Sequence, residues 1–272
     1  MAMDQLFSKL VVITFPDEKK AYEGVRALRE LHEEGIISLY GYSVLDRAKD
    51  GKLSVKDSKS EGPIGTGVGA LTGALIGLFA GPVGAVIGLG IGTAVGATRD
   101  LISMGVNTDF IEEISAELPP GTVAIAAELS EDWQTPLDSR MEQVGGTVLR
   151  QWRDDFVDEE MERNLDKASG ELKRRRAEFD AKAADQKEAM QKELEGAEQK
   201  LQAALDKANA RLTHYGEQVD AKVQALQEQA KKANAEGKAR IEQRIASIQA
   251  DGARRREKLE QARQLAQEAL KP

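Results

Sequence analysis

Apolar positions in the first half of the chain fall into patterns that predict their own elements. Residues 10–15, Leu-Val-Val-Ile-Thr-Phe, form a short β-branched run stopped by Pro16, the mark of a buried strand. Asp17 sits where an N-cap belongs. The helix after it carries Ala21, Val25, Leu28 and Leu31 at helical spacing and ends at Gly35. Residues 36–45 alternate as a second strand, Asp50-Gly51 is a hairpin turn signal, and 52–55 make a third strand. Further on, Phe110, Ile111, Ile114 and Leu118 predict a helix over 109–118, ended by Pro119-Pro120-Gly121. Residues 122–129 then read as a strand. The order β-α-β-β-α-β predicts an α+β fold, a ferredoxin-like sandwich with four strands and two helices on one face. A helix over 136–144 and a further strand over 147–152 follow.

Between the third strand and the 109–118 helix the pattern changes. Residues 62–98 carry no charge, with Glu61 and Arg99 closing the ends. Gly65, Gly69, Gly73 and Gly77 repeat at i, i+4. After Gly81-Pro82, which reads as a turn, Gly84, Gly88, Gly92 and Gly96 do the same. Each run lies on one helical face, with Val68, Leu71, Leu75 and Leu78 among the bulky residues opposite the first. Such a glycine-zipper hairpin lets two backbones approach closely. Glycine costs roughly 1 kcal/mol relative to alanine inside a helix, so the segment would hardly hold a helix alone in water. Lipid enforces the helix, because unpaired backbone groups cost several kcal/mol there. Each arm reaches roughly 24–27 Å at the helical rise, slightly short of a ~30 Å hydrocarbon core. Two environments are therefore open: a membrane, or the dry core of an oligomer.

From residue 156 the chain is rich in Ala, Glu, Lys, Gln and Arg, with no proline until the last residue. Apolar residues recur at eleven-residue steps. Leu201, Leu212 and Val223 lead to Ile245; Ala197, Ala208, Val219, Ala230 and Ile241 form a second row; Leu194 and Leu205 a third. An eleven-residue repeat gives about 3.67 residues per turn, so these positions predict the seam of a long helical rod or coiled coil. The register survives Gly196 and Gly216, while 234–237, Asn-Ala-Glu-Gly, suits a turn. The seam includes the alanines Ala197, Ala208 and Ala230, and a narrow alanine-bearing seam packs better against another helix than into a bilayer. The expected domains are 1–61 plus 101–155, the hairpin at 62–100, and the rod at 156–272.

Composition narrows the chemistry. The absence of cysteine removes disulfides, thiolate metal sites and cysteine nucleophiles. The net charge is -8, and the rod is nearly balanced, which gives no footprint for nucleic acid. The first ten residues lack a secretory signal, so the N-terminus is expected in the cytoplasm. His32 and His214, the only histidines, each sit among charged neighbours and read as surface residues. Gly65-Thr66-Gly67-Val68-Gly69 has neither a preceding strand nor a following Lys-Ser/Thr, so it is no phosphate loop. The triplets 174–176 and 254–256, all arginine, are flanked by glutamates and read as salt-bridged helix surface. The acidic run at 154–160 reads as a solvated helix start. No catalytic residue, cofactor, metal or small-molecule substrate is expected.

Three stretches carry a resemblance: LVVITFPDEKKAYEGVRAL at 10–28, YGYSVLDRAKDGKLSV at 40–55 and GTGVGALTGALIGLFAGPVGAVIG at 65–88. Over roughly 8–153 the chain resembles a bacterial domain-of-unknown-function family of predicted membrane proteins, ferredoxin-like domains with an inserted glycine-rich hairpin. It is loosely similar to general stress proteins as well. The resemblance implies that fold and membrane association, and supplies no catalytic residue. The expectation is a non-enzymatic, membrane-associated scaffold, with the α/β domain on the cytoplasmic side, that self-assembles through hairpin and rod. The alternative is a soluble homo-oligomeric cage, ring or filament with the hairpins in its core.

Overall fold

A computed structural model describes residues 8–60, 66–79, 108–181 and 184–271. It is an α+β protein with two compact units, Met1–Val157 with Asp220–Gln249, and Asp158–Val219 with Ala250–Pro272. The second arm of the glycine block (Gly84, Gly88, Gly92, Gly96), its turn at Gly81-Pro82, and Gly65 lie outside the described residues.

In the first unit the strands are β1 (Lys9–Phe15), β2 (Ile37–Arg47), β3 (Leu53–Ser60), β4 (Val123–Glu131) and β5 (Thr147–Trp152). The sheet order is β3-β2-β4-β1-β5, with every neighbouring pair antiparallel. Asp17 caps α1 (Glu18–Glu33) by accepting from the Lys20 N–H at 2.8 Å, and Gly35 takes a positive φ of 70° to leave it. Gly51 likewise turns the β2–β3 hairpin at φ 86°.

The layering differs from the two-layer expectation. All seven residues of β1 and all nine of β4 are buried, so both faces of the sheet centre are covered. On one face Val11, Ile13, Phe15, Ile125 and Ala127 pack with Val25, Leu28 and Leu31 of α1 and with Leu137 and Met141 of α4 (Thr135–Gln143). On the other, Leu10, Val12, Leu45, Ala124 and Ala126 pack with α2 (Thr66–Phe79) and α3 (Thr108–Glu117). The sheet has five strands, and the helix that joins α1 on its face is α4. The helix expected there, α3, lies across the sheet. The run at 10–15, apolar but for Thr14, is the reason, since a strand covered on one face alone would alternate.

The C-terminal region is long and helical, with a break at 233–234, where the sequence predicts a turn. It comprises α5 (Arg153–Asp180), α6 (Ala184–Lys232) and α7 (Ala235–Glu268). Asn234 Oδ1 accepts from the Gly237 N–H at 2.8 Å and so caps the start of α7. α5 ends at Asp180 with Ala181 in a turn, a place that carries no turn signal in the sequence. In the second unit, Leu165 and Leu172 of α5, Leu201, Leu205 and Ala208 of α6, and Leu259 and Ala266 of α7 form one core.

Candidate functional site

The first arm of the glycine block is α2. Its bulky residues Val68, Leu71 and Leu75 are buried against the sheet, Leu71 and Leu75 completely. Burial of a leucine side chain stabilises by roughly 1.5–3 kcal/mol, enough to hold a helix that its glycines weaken. The glycine stripe turns elsewhere. Among the described residues, a Cβ built on Gly69 or on Gly73 meets no heavy atom within 4 Å, while Gly77 is buried. At 14 residues α2 is about 21 Å long at the helical rise. Among the described residues no helix is long and apolar enough to cross a membrane.

Arg47, at the end of β2, fixes the far end of α2. Its guanidinium lies 4.1 Å from the centroid of the Phe79 ring and donates to the carbonyl of Leu118. Burial pushes its pKa below the ordinary arginine value.

The predicted seam divides between the two units. Ala197, Leu201, Leu205 and Ala208 are buried within the three-helix core, with Leu194 and Leu212 packed against it. Val219 is half-buried in the same unit. Val223 and Ile241 are buried in the first unit, where Ala230 and Ile245 are half-buried. Leu226 and Ile248, also fully buried, were not among the predicted positions. Heptad spacing was their signal: 219, 223, 226, 230 and 241, 245, 248 step by four and three.

A second place escaped the sequence. Around the α6–α7 turn, three polar side chains reach the turn between α1 and β2. Gln229 Nε2 donates to the carbonyls of His32 at 2.6 Å and Ile37 at 2.8 Å, and its Oε1 accepts from Ser38 Oγ at 2.7 Å. Arg240 Nη2 donates to Glu34 O at 2.9 Å. Arg244, only 1% exposed, holds Asp132 with two bonds of 3.1 and 2.7 Å. It also donates to Ser38 Oγ at 2.6 Å and to Ile36 O at 3.0 Å. These donors meet carbonyls at the end of α1, in the turn and at the start of β2, and that of His32 also accepts from the Gly35 N–H at 3.0 Å. Lys222 Nζ stands 6.0 Å from the Tyr40 ring centroid. One signal was available: Arg244 sits among Ile241, Ile245 and Ile248, a charge on an apolar face.

Several of the residues weighed for chemistry make contacts within the fold. His32 Nδ1 accepts from the Leu39 N–H at 3.2 Å, next to the α1–β2 turn. Arg176 donates to the carbonyls of Ala269, Leu270 and Lys271 at the end of α7 and pairs with Glu198 at 3.1 Å. Arg175 pairs with Glu178 and Glu193. Arg255 pairs with Asp251 at 2.7 Å and Asp158 at 3.4 Å. Asp158 also accepts from Arg211 at 3.1 Å and from the Tyr215 hydroxyl at 2.9 Å, a buried polar layer in the three-helix core. At one end of the sheet, Glu131 Oε1 accepts from Lys9 at 2.9 Å and Arg150 at 2.8 Å, which ties β1, β4 and β5 together. No group of three or more His, Asp or Glu among the described residues is placed to hold a metal ion.

No curated protein and no solved structure matches the chain. Residues 66–168, which take in α2, α3, β4, α4, β5 and the start of α5, match the model of a family described as a protein of unknown function, DUF1269.

Proposed function

We propose that the protein is a non-enzymatic scaffold that assembles with copies of itself, the glycine face of α2 being the contact between copies. One observation carries this reading. The bulky face of α2 is committed to its own sheet, while a Cβ on Gly69 or Gly73 would meet none of the described residues within 4 Å. A helix that presents backbone rather than side chains suits close packing against a second helix, where dispersion contacts and small-residue complementarity act. The domain that presents α2 is read as ferredoxin-like. Strands β2-β4-β1-β5 with α1 and α4 on one face have that order, and β3, α2 and α3 form an insertion between its second and third strands.

A membrane-associated scaffold is the second reading, and the uncharged run at 62–98 favours it. Two measurements on the same preparations separate the readings. Sedimentation of wild type in detergent-free buffer is expected to show an oligomer that Gly69→Leu and Gly73→Leu reduce to smaller species with unchanged helicity. A monomeric wild type, or variants that assemble as wild type does, would overturn the assembly reading. Flotation of wild type with phosphatidylcholine vesicles, abolished by deletion of 62–98, would establish the membrane reading.

A further inference from the structure

We infer that β3 is a docking edge for a second copy of the chain: two β3 strands pair antiparallel about a two-fold axis at Ser58, with Asp57 and Lys59 setting the register. This contact is separate from the glycine face of α2 and does not depend on it. β3 is an outer strand of the sheet, paired with β2 and, among the described residues, with no other strand. The outer row of N–H and C=O groups on such a strand is a template for another chain. Ser58 and Lys59 are exposed there, and Asp57 is half-buried.

A two-fold pair sets the residue on its axis opposite itself and the two flanking residues opposite each other. The regular part of β3 leaves few choices of axis. Its pairing with β2 shifts between Val44 and Leu45, which makes Lys56 an extra residue, and the even ladder runs from Asp57 opposite Val44 to Ser60 opposite Gly41. An axis at Asp57 would face two carboxylates, and an axis at Lys59 two ammonium groups. Like charges directly opposite destabilise a strand pair. An axis at Ser60, the last residue of β3, would place half of the pair beyond the end of the strand. An axis at Ser58 sets hydroxyl against hydroxyl, Asp57 against the partner's Lys59, and Lys59 against the partner's Asp57.

Both opposite-charge pairs then lie on one face of the joined sheet, since Asp57 stands opposite Val44 and Lys59 opposite Tyr42, two residues apart on β2. Asp57 makes no ion pair among the described residues, and the lysine beside it, Lys56, lies 3.2 Å from Asp46. Lysines along a free edge ordinarily repel other strands. At 57–59 the order is acid, hydroxyl, base, which repels the neighbouring registers and attracts at one. Charge placed in this way admits a copy of the same edge and refuses a misaligned partner.

The chain has no cysteine, so single introduced thiols report this contact in the full-length protein. Ser58→Cys lies on the axis and is expected to couple two copies through a short bismaleimide. Ser54→Cys, on the same edge, would lie roughly 27 Å from its own copy at the strand rise and should not couple. Asp57→Lys and Lys59→Asp each set like charges across the axis twice, and each should raise the dissociation constant of the pair on the order of tenfold or more by sedimentation. The swap that combines them restores both pairs in the same register and should return the constant to within about threefold of wild type, a rescue that damage to the fold would not give. Coupling at Ser58 no stronger than at Ser54, or a swap that pairs no better than the single variants, would overturn the proposal. Repeated in the Gly69→Leu chain, coupling at Ser58 is expected unchanged, and its loss there would overturn the separateness of the contact. A Gly69→Leu chain that assembles as wild type does refutes the α2 contact alone and leaves coupling at Ser58 in place.

Discussion

Gly35 and Gly237 meet backbone to backbone: a Cβ on Gly237 would lie 2.7 Å from the Glu34 carbonyl oxygen, and one on Gly35 would lie 2.9 Å from Gly237 Cα. Opposing effects meet at Gly237. Alanine there gains up to ~1 kcal/mol of helix propensity in the first turn of α7. The added methyl collides with main chain, which is unable to rotate aside, and overpacking of that kind costs ~1–3 kcal/mol. Gly237→Ala is therefore expected to lower the stability of the intact protein by about 1–2 kcal/mol in urea titrations. An α6–α7 peptide freed of the α/β domain should instead become slightly more helical by circular dichroism. Stabilisation of the intact protein would mean that the two glycines are not in contact in solution.

The two faces of α2 should respond in opposite ways. Leu75 is completely buried in the sheet cluster, so Leu75→Ala removes packed methyl groups and leaves a cavity, at ~2–5 kcal/mol. Gly69→Ala adds a methyl where no atom of the described residues lies within 4 Å, and replaces a weak helix former. It should stabilise the monomeric fold by up to ~1 kcal/mol. Chemical denaturation of the two variants beside wild type reads both. A neutral Leu75→Ala would detach α2 from the sheet and return it to the role of a projecting arm.

Sequence and structure agree where the chain has a local period and diverge where tertiary contacts decide. β5 occupies the predicted positions 147–152, and the caps at Asp17 and Gly35 mark the ends of α1 as read, because these signals are local. The role of α2 was hidden by its own glycines. Their i, i+4 spacing suggests a separate hairpin, whereas what places the helix is the demand of β1 and β4 for cover on a second face. Arg244 was overlooked for a related reason, although its place among Ile241, Ile245 and Ile248 was a signal. On a helix rich in charge, one more arginine reads as solvated surface until the carbonyls it meets, far earlier in the chain, come into view. The eleven-residue rows marked apolar positions but not partners. Leu201 and Leu205 meet α5 and α7 of their own chain.

The three-helix core holds a polar layer whose members should prove unequal. Asp158 accepts from Arg211, from Arg255 and from the hydroxyl of Tyr215, whose ring also lies 5.0 Å from the Arg211 guanidinium carbon. Tyr215→Phe deletes one donor and leaves the carboxylate with its two arginines, so ~1 kcal/mol is expected, the usual net value of a hydrogen bond. Asp158→Ala removes the shared anion instead. Two guanidinium groups then remain close together in a part-buried site, Arg255 keeping Asp251 at 2.7 Å while Arg211 loses its carboxylate. Truncation of one partner of a buried pair costs ~3–5 kcal/mol, most of it from the charge left behind. That origin makes the pair of changes non-additive. Arg211→Ala and Asp158→Ala together should destabilise less than the sum of the two single variants, since neither charge is then stranded against the other's absence. Urea denaturation of the single and double variants, followed by far-ultraviolet circular dichroism, measures the coupling. Additive losses would mean that Asp158 and Arg211 act independently, and that the layer is solvated in solution rather than built into the core.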